Sequence, residues 1–272
     1  MPLHMTALLL ALVTITGTVH DAHTGRPVAG IVVAAGAYDD DFSAPMAGEA
    51  PPALPPGATA VTASDGSYTL RIDDSIRWIA LDVYGAPRGY VTYHGVFSMG
   101  LSVAPDVRLI APTAAERRAL DEINAFRRAP GGTALYGNAP LLFDQNLVLA
   151  ARYWASEERI AHRIGHTCAQ LGNPAKCVEF NAYFHALPGA PQDDDAGQNT
   201  AFDPNPSWSD ANRLFESEGA LCHYNWHECS GGPDGSGSQT GHYVNLMSAR
   251  RWIGLGEAVA GGEGSYFALN VL

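Results

Sequence analysis

The sequence predicts two domains, an antiparallel β-sandwich followed by an α+β domain. Its 272 residues suffice for two domains, and 46% hydrophobic with 16% charged residues suit packed cores. Near Pro112 the hydrophobic pattern changes from the two-residue period of strands to the period of helices. We therefore expect the sandwich at residues 14–112 and the α+β domain at residues 113–272.

The first domain is predicted from short apolar runs separated by turn residues such as Ser64-Asp65-Gly66. The runs are rich in branched and aromatic residues, as strands are. They lie at residues 15–19, 31–35, 68–72, 76–84, 90–94 and 107–110. The Ala- and Pro-rich segment from Gly36 to Ala60 is expected to form a long surface loop.

The second domain is predicted to begin with the capping box Thr113-Ala114-Ala115-Glu116. The first helix carries Leu120, Ile123 and Phe126 on one face. A second helix is predicted from Asp144 to Ile164, and a third from Ser209 or Asp210. Strands are expected at residues 252–255 and 266–271.

Residues 1–13 contain an apolar run from Thr6 to Val13. A helix that crosses a bilayer needs about 20 apolar residues, so this run is too short to span one. It is typical of the core of a secretory signal, although no Lys or Arg precedes it. The alternative is that the run extends the first β-strand.

The charge balance excludes some partners. The formal net charge of -12 disfavours nucleic acids and anionic membranes, because phosphate binding needs clustered Lys and Arg.

The four cysteines form two pairs of near neighbours, Cys168 with Cys177 and Cys222 with Cys229. An even count without a Cys-x-x-Cys pattern favours disulfides in an oxidising compartment, and hence a secreted, extracellular or periplasmic protein. Four cysteines permit three connectivities, and we expect the one in which each cysteine bonds to its near neighbour. A metal site built from these thiols is the alternative.

Two polar residues occupy positions that suggest a site. Glu218 follows Ala211 and Leu214 at helical spacing, so its carboxylate is expected on the buried stripe of the third helix, where it would need a partner. His166 is expected at the end of the second helix. The alternatives are a frayed helix end for Glu218 and a helix-dipole role for His166, with His162 as a competing histidine.

The segment from residue 113 to 272 resembles the CAP superfamily of cysteine-rich secretory, antigen 5 and pathogenesis-related 1 proteins, in its bacterial form. The matching residues are Ala151, Trp154 and His166-Thr167; Gly197-Gln198-Asn199; Phe215 to Glu218; Gly241 to Leu246; and Ile253 to Ala258. The resemblance implies an α-β-α sandwich with a cavity formed by His166, Gln198, Glu218 and His242. Gln198 stands where the family has a second acid.

The first domain resembles the carboxypeptidase regulatory-like, transthyretin-like sandwich. This resemblance rests on Thr16-Gly17-Thr18-Val19, Thr24-Gly25, Pro27-Val28 and the stretch from Ser64 to Tyr68.

The resemblance implies extracellular binding of a lipid, sterol, peptide or glycan in that cavity, with Trp208, Tyr224 and Trp226 as apolar walls. No residue is assigned a catalytic role, because the chain lacks Gly-x-Ser-x-Gly, His-Glu-x-x-His and phosphate-binding loops. One alternative is a zinc-dependent extracellular hydrolase in which His166, His242 and Glu218 hold the metal. Another is a structural adhesion module.

Overall fold

A computed structural model describes residues 12–37, 58–74, 76–98, 106–128, 140–172, 175–191, 196–205, 207–224, 240–247 and 251–272. Across these residues the protein is a mixed, sheet-rich α+β structure with several sheets. The chain divides into two compact units, an N-terminal unit of residues 1–110 and a C-terminal unit of residues 111–272.

The N-terminal unit has two sheets, with strand orders β4-β1-β7 and β3-β2-β5-β6. Their inward-facing residues, such as Val19, Leu70 and Leu81, form one apolar core. The strands are β1 (Leu12–Asp21), β2 (Val32–Ala37), β3 (Thr59–Val61), β4 (Ser67–Asp73), β5 (Trp78–Tyr84), β6 (Tyr93–Ser98) and β7 (Val107–Leu109).

Two details of this unit differ from the sequence prediction. The pair β1 and β7 is parallel, whereas the sequence predicted an antiparallel sandwich. These strands are far apart in the chain, so no hairpin fixes their relative direction. Strand β3 begins inside the segment that was expected to be loop. Residues 1–11 and 38–57 lie outside the described residues, so most of the predicted signal segment does too, while Leu12 and Val13 belong to β1.

The C-terminal unit has one sheet with strand order β8-β10-β11-β9, in which β8 and β10 are parallel and the other pairs antiparallel. Its strands are β8 (Leu142–Phe143), β9 (Gly197–Asp203), β10 (Trp252–Val259) and β11 (Ser265–Val271). Its helices are α1 (Ala114–Arg128), α2 (Gln145–Ala161), α3 (Phe180–His185), α4 (Trp208–Ser217) and α5 (Gly241–Met247). A 3-10 turn, Glu218–Cys222, follows α4.

Helix α2 packs on one face of this sheet at very short range. A Cβ atom on Gly254 would lie 2.1 Å from the carbonyl carbon of Leu147, and one on Gly256 would lie 2.2 Å from that of Ala151. Any larger residue at these strand positions would push the helix away. On the other face, Leu255 and Phe267 share a core with residues of α1, α4 and α5.

The helix starts follow the local sequence signals. The capping box is confirmed, since the Thr113 N–H donates to Glu116 at 2.7 Å and the Glu116 N–H donates to the Thr113 hydroxyl at 3.1 Å. Asp144 caps α2 by accepting from the Leu147 N–H at 2.9 Å. Helix α2 ends earlier than predicted, because His162 takes a left-handed conformation with φ of 52°.

The disulfide between Cys168 and Cys177 is confirmed. Cys222 is also disulfide-bonded, and its expected partner Cys229 lies outside the described residues. None of the described helices is long and apolar enough to cross a membrane.

Glu116 also ties α1 to α2, which yields a test of the fold. Its buried carboxylate accepts from Arg152 Nε at 2.9 Å and Nη2 at 2.7 Å. We expect Glu116→Ala to lower the free energy of unfolding by about 2 to 4 kcal/mol, because it breaks a charge pair that is buried on one side. Urea unfolding of the full chain, followed by tryptophan fluorescence, measures this. The exposed Asp121→Ala on the same helix should stay within about 0.5 kcal/mol, and equal losses would contradict the assignment.

Candidate functional site

The C-terminal unit brings four predicted site residues together: His166, Gln198, Glu218 and His242. His166 Nδ1 lies 3.1 Å from Gln198 Oε1, and His242 Nδ1 lies 2.7 Å from Glu218 Oε1. The centroids of the two imidazole rings are 5.9 Å apart. We call this group the two-histidine cleft.

The cleft straddles β9, which is the edge strand of its sheet. Gln198 pairs in register with Asn270, and Asn270 with Gly254, so Gln198 lies on the face that α2 covers. Asn199 therefore points to the opposite face, where its side-chain amide donates to the His242 carbonyl at 3.0 Å. Consecutive residues of one strand thus contact the two histidines from opposite sides of the sheet.

Asn245 of α5 forms hydrogen bonds with two residues of β9. Its side-chain amide donates to Asn199 Oδ1 at 2.8 Å and to the Gln198 carbonyl at 3.4 Å. A Cβ atom on Gly197 would lie 2.6 Å from Asn245 Oδ1, so the strand approaches α5 closely.

Glu218 holds His242 at the start of α5. Besides the His242 ring, its carboxylate accepts from the backbone N–H groups of His242 at 3.0 Å and Tyr243 at 3.4 Å. Both oxygens are therefore engaged. Glu218 was predicted on the buried stripe of the third helix with Leu214, but Leu214 is 51% exposed. The helix ends at Ser217 and Glu218 begins a 3-10 turn, so the helical spacing no longer applies.

His166 lies in the loop after α2 rather than at the helix end. Gln170 Oε1 accepts from the backbone N–H groups of His166 at 2.6 Å and Thr167 at 3.0 Å. His162, the competing histidine, is exposed and contacts Glu263 at 3.2 Å.

Glu158 lies below this loop and was not among the residues predicted from the sequence. It is fully buried, and its Oε1 accepts from the Gly165 N–H at 3.1 Å. Burial raises the pKa of the Glu158 carboxyl to about 9. A signal was available, because Glu158 continues the spacing of Ala151 and Trp154 on the buried stripe of α2.

The partners of the two histidines fix their tautomers. A carboxylate or amide oxygen can only accept, so each facing Nδ1 carries the hydrogen and donates it. In the neutral form of each ring Nε2 presents a lone pair, and neither Nε2 has a hydrogen-bond partner among the residues that the structure describes. The Gln198 Nε2 amide group is likewise buried without a partner in this part of the chain.

A cavity of about 280 Å³ adjoins the cleft. It is lined by His166, Glu179, Phe180, Asn181, Ala196 and Gln198. Phe180 supplies an apolar surface, while Glu179 is occupied with the Cys168 N–H at 3.1 Å. The cavity therefore combines one apolar wall with several polar groups.

The three residues predicted as apolar walls of the cleft lie in different environments. Tyr224 is 39% exposed and packs over Gly219, next to Glu218. Trp208 is 5% exposed and contacts the Phe267 ring at 4.8 Å, in the core. It lines a different cavity, with Glu122 and Glu257, so its assignment to the cleft is corrected. Trp226 lies outside the described residues.

The zinc set His166, His242 and Glu218 does not gain support from this geometry. Within the described ranges no group of three His, Cys, Asp or Glu side chains is arranged to hold a metal ion. The physical reason is that the Glu218 oxygens bind the His242 ring and the first amides of α5, which leaves the two Nε2 atoms as candidate ligands.

No family model matches the chain, and no curated protein matches it. A crystal structure of a DUF3823 family protein from Parabacteroides merdae is similar over 36% of this chain, at 12% identity and a TM-score of 0.23. The similarity spans 45% of that protein's chain, which is too little to support an argument about function.

The family assignment made from short motifs is therefore wrong. Neither the CAP superfamily nor the carboxypeptidase regulatory-like domain is supported by a family model or by a curated relative. Motifs of three or four residues, such as Gly241-His242-Tyr243, recur in unrelated chains. The motifs predicted which side chains lie close together in the structure, but they do not show common ancestry with that family.

The burial of Glu158 makes a prediction about stability and pH. Between its unfolded pKa near 4.5 and its folded pKa of about 9, the folded state binds one more proton than the unfolded state. Stability must then fall as the pH rises through this window, by about 1.4 kcal/mol per unit. Glu158→Gln has no such proton. We expect its unfolding free energy, relative to the wild type, to increase by about 2 to 3 kcal/mol between pH 6 and pH 8.

Urea unfolding of both proteins at the two pH values measures this difference. Glu157→Gln, one residue away and partly exposed, is the control and should show no comparable change. A constant difference between wild type and Glu158→Gln would mean that Glu158 is ionised in the folded protein.

Proposed function

We propose that the two-histidine cleft binds a small organic ligand outside the cell. The observation that carries the proposal is the pair of fixed imidazoles whose Nε2 atoms have no described partner, beside a cavity of about 280 Å³. Pockets for small molecules place a few polar groups on apolar walls; here Phe180 is the apolar wall and most of the remaining lining is polar.

The donors and acceptors favour a ligand that carries a hydroxyl group. The two Nε2 atoms accept hydrogen bonds, so a ligand that binds them must supply donors. A hydroxyl group is such a donor, and a lipid with a hydroxyl head group, a sterol, a peptide side chain or a glycan carries one. The net charge of -12 disfavours an anionic ligand.

An extracellular setting is part of the proposal. The Cys168–Cys177 disulfide supports it, since such bonds persist in oxidising compartments.

A second candidate function is hydrolysis of the bound ligand. The Glu218–His242 pair favours it, because a carboxylate at Nδ1 orients the imidazole and strengthens Nε2 as a general base. In this version His242 activates water directly, without the zinc ion of the alternative drawn from the sequence.

Ligand binding can be tested with His242→Ala. The probes are decanol, a water-soluble sterol, a tripeptide and a cellulose oligosaccharide, each titrated into protein with ¹⁵N-labelled histidine. We expect one probe to shift the Nε2 resonances of His166 and His242 together. The variant should weaken binding of that probe about tenfold or more, the loss of one buried hydrogen bond of about 1.4 kcal/mol.

The matched control is His162→Asn, which changes an exposed histidine and keeps a residue that tolerates the left-handed conformation. It should bind like the wild type. If no probe shifts either ring, or if the control loses affinity equally, the binding proposal fails. Turnover of a probe that is lost in His242→Ala would favour hydrolysis instead.

The extracellular setting has its own test. Peptide mapping of unreduced protein from its native compartment should recover Cys168 linked to Cys177, and Cys222 linked to Cys229. Such a result is expected because loops this short close readily under oxidising conditions. Four free thiols would contradict export.

A further inference from the structure

Glu158 contacts both segments that hold the first half of the cleft. Its carboxyl group accepts from the Gly165 N–H, one residue before His166, and also interacts with the Thr200 hydroxyl, two residues after Gln198. We propose that Glu158 is a positioning residue that fixes the His166 ring against Gln198. This inference rests on the proposed function of the two-histidine cleft, and it concerns how that site is held in shape.

The first link is the Gly165 peptide. Its N–H donates to Glu158 Oε1 at 3.1 Å, and its carbonyl accepts from the Trp154 indole N–H at 2.8 Å. Both polar groups of this residue are thus held by side chains of α2. Gly165 cannot rotate without breaking two buried hydrogen bonds. The backbone orientation of the residue that precedes His166 is therefore fixed.

The second link is Thr200 on β9. Side chains two residues apart on a strand lie on the same face, about 7 Å apart, so Thr200 and Gln198 both point toward α2. A carboxyl group that lies against Thr200 therefore spaces α2 from the strand segment that carries Gln198. Glu158 bridges the two sides of the hydrogen bond between His166 and Gln198.

The protonation of Glu158 suits this bridging role. With a pKa of about 9, the carboxyl is neutral at pH 7. A neutral carboxyl can accept the Gly165 N–H and lie against the buried Thr200 side chain without the cost of burying a charge. Oε2 has no partner at hydrogen-bond geometry among the described residues, Thr200 included. From β11, the titratable group that faces Glu158 is the Tyr266 hydroxyl, whose pKa is raised mainly by burial.

The test measures the tautomer of His166, which needs no ligand. ¹⁵N NMR of labelled histidine in the full chain distinguishes an Nδ1–H ring from an Nε2–H ring. In the wild type at pH 7 we expect both His166 and His242 as Nδ1–H. Glu158→Gln, which keeps one acceptor and one donor, should retain this state. Glu158→Leu should convert His166 to a mixture of tautomers and leave His242 unchanged, because Glu218 still holds it.

The pH profile separates positioning from a general structural role. Above pH 9 the wild-type His166 ring should lose its fixed tautomer reversibly, and Glu158→Gln should not. Hydrogen exchange of the Gly165 amide should accelerate about tenfold or more in Glu158→Leu, because its acceptor is gone. Glu157→Gln is the control for all three readouts and should match the wild type.

Three outcomes would overturn the proposal. They are an unchanged His166 tautomer in Glu158→Leu, equal changes at both histidines, or a Glu158→Gln variant that behaves like Glu158→Leu. If Glu158→Leu does not fold, Thr200→Val replaces it, since this near-isosteric change removes only the second link and should still mix the His166 tautomers. Absence of ligand binding would contradict the proposed function but would not change the tautomer results. Failure of the proposed function is therefore distinguishable from failure of the positioning role of Glu158.

Discussion

The two-histidine cleft depends on the alternation of side chains along one edge strand. Gln198 and Asn199 are consecutive, so they point to opposite faces of the sheet. Gln198 holds the His166 ring on the α2 face, and Asn199 holds the His242 carbonyl on the α5 face. A slip of β9 by one residue against β11 would exchange these faces and separate both histidines from their partners.

That register is secured by contacts on both sides of β9. Seven residues of β9 pair with β11, from Gly197 with Val271 to Asp203 with Ser265. On the outer side, Asn245 donates to the Gln198 carbonyl and to Asn199, which ties α5 to the same two residues. Strand β9, which has no neighbour beyond it among the described strands of the sheet, is thus held in register by side chains.

Much of the secondary structure could be predicted from local signals. The capping box at Thr113, the Asp144 cap and the branched runs of the N-terminal unit act within a few residues, so they are readable from the sequence. Features that depend on tertiary contacts could not be predicted in this way. Trp208 is suited equally to a core and to a ligand wall, and spacing does not distinguish them. The parallel pairing of β1 with β7 likewise depends on segments almost 90 residues apart, a separation visible from Val19 pairing with Val107.

The sequence predicted which residues form the candidate site better than it predicted the role of each residue. Glu218 is a metal ligand only in the zinc alternative; in the structure its carboxylate accepts from one imidazole and two backbone amides. Glu158 was overlooked, yet it receives a single amide in a fully buried place, and burial with so few donors keeps its proton. The surroundings of each carboxyl therefore decide its role: three hydrogen bonds make Glu218 an acceptor that orients His242, while burial with one hydrogen-bonded amide raises the pKa of Glu158. Because donors come from segments distant in sequence, the same residue type takes opposite roles on the two sides of β9.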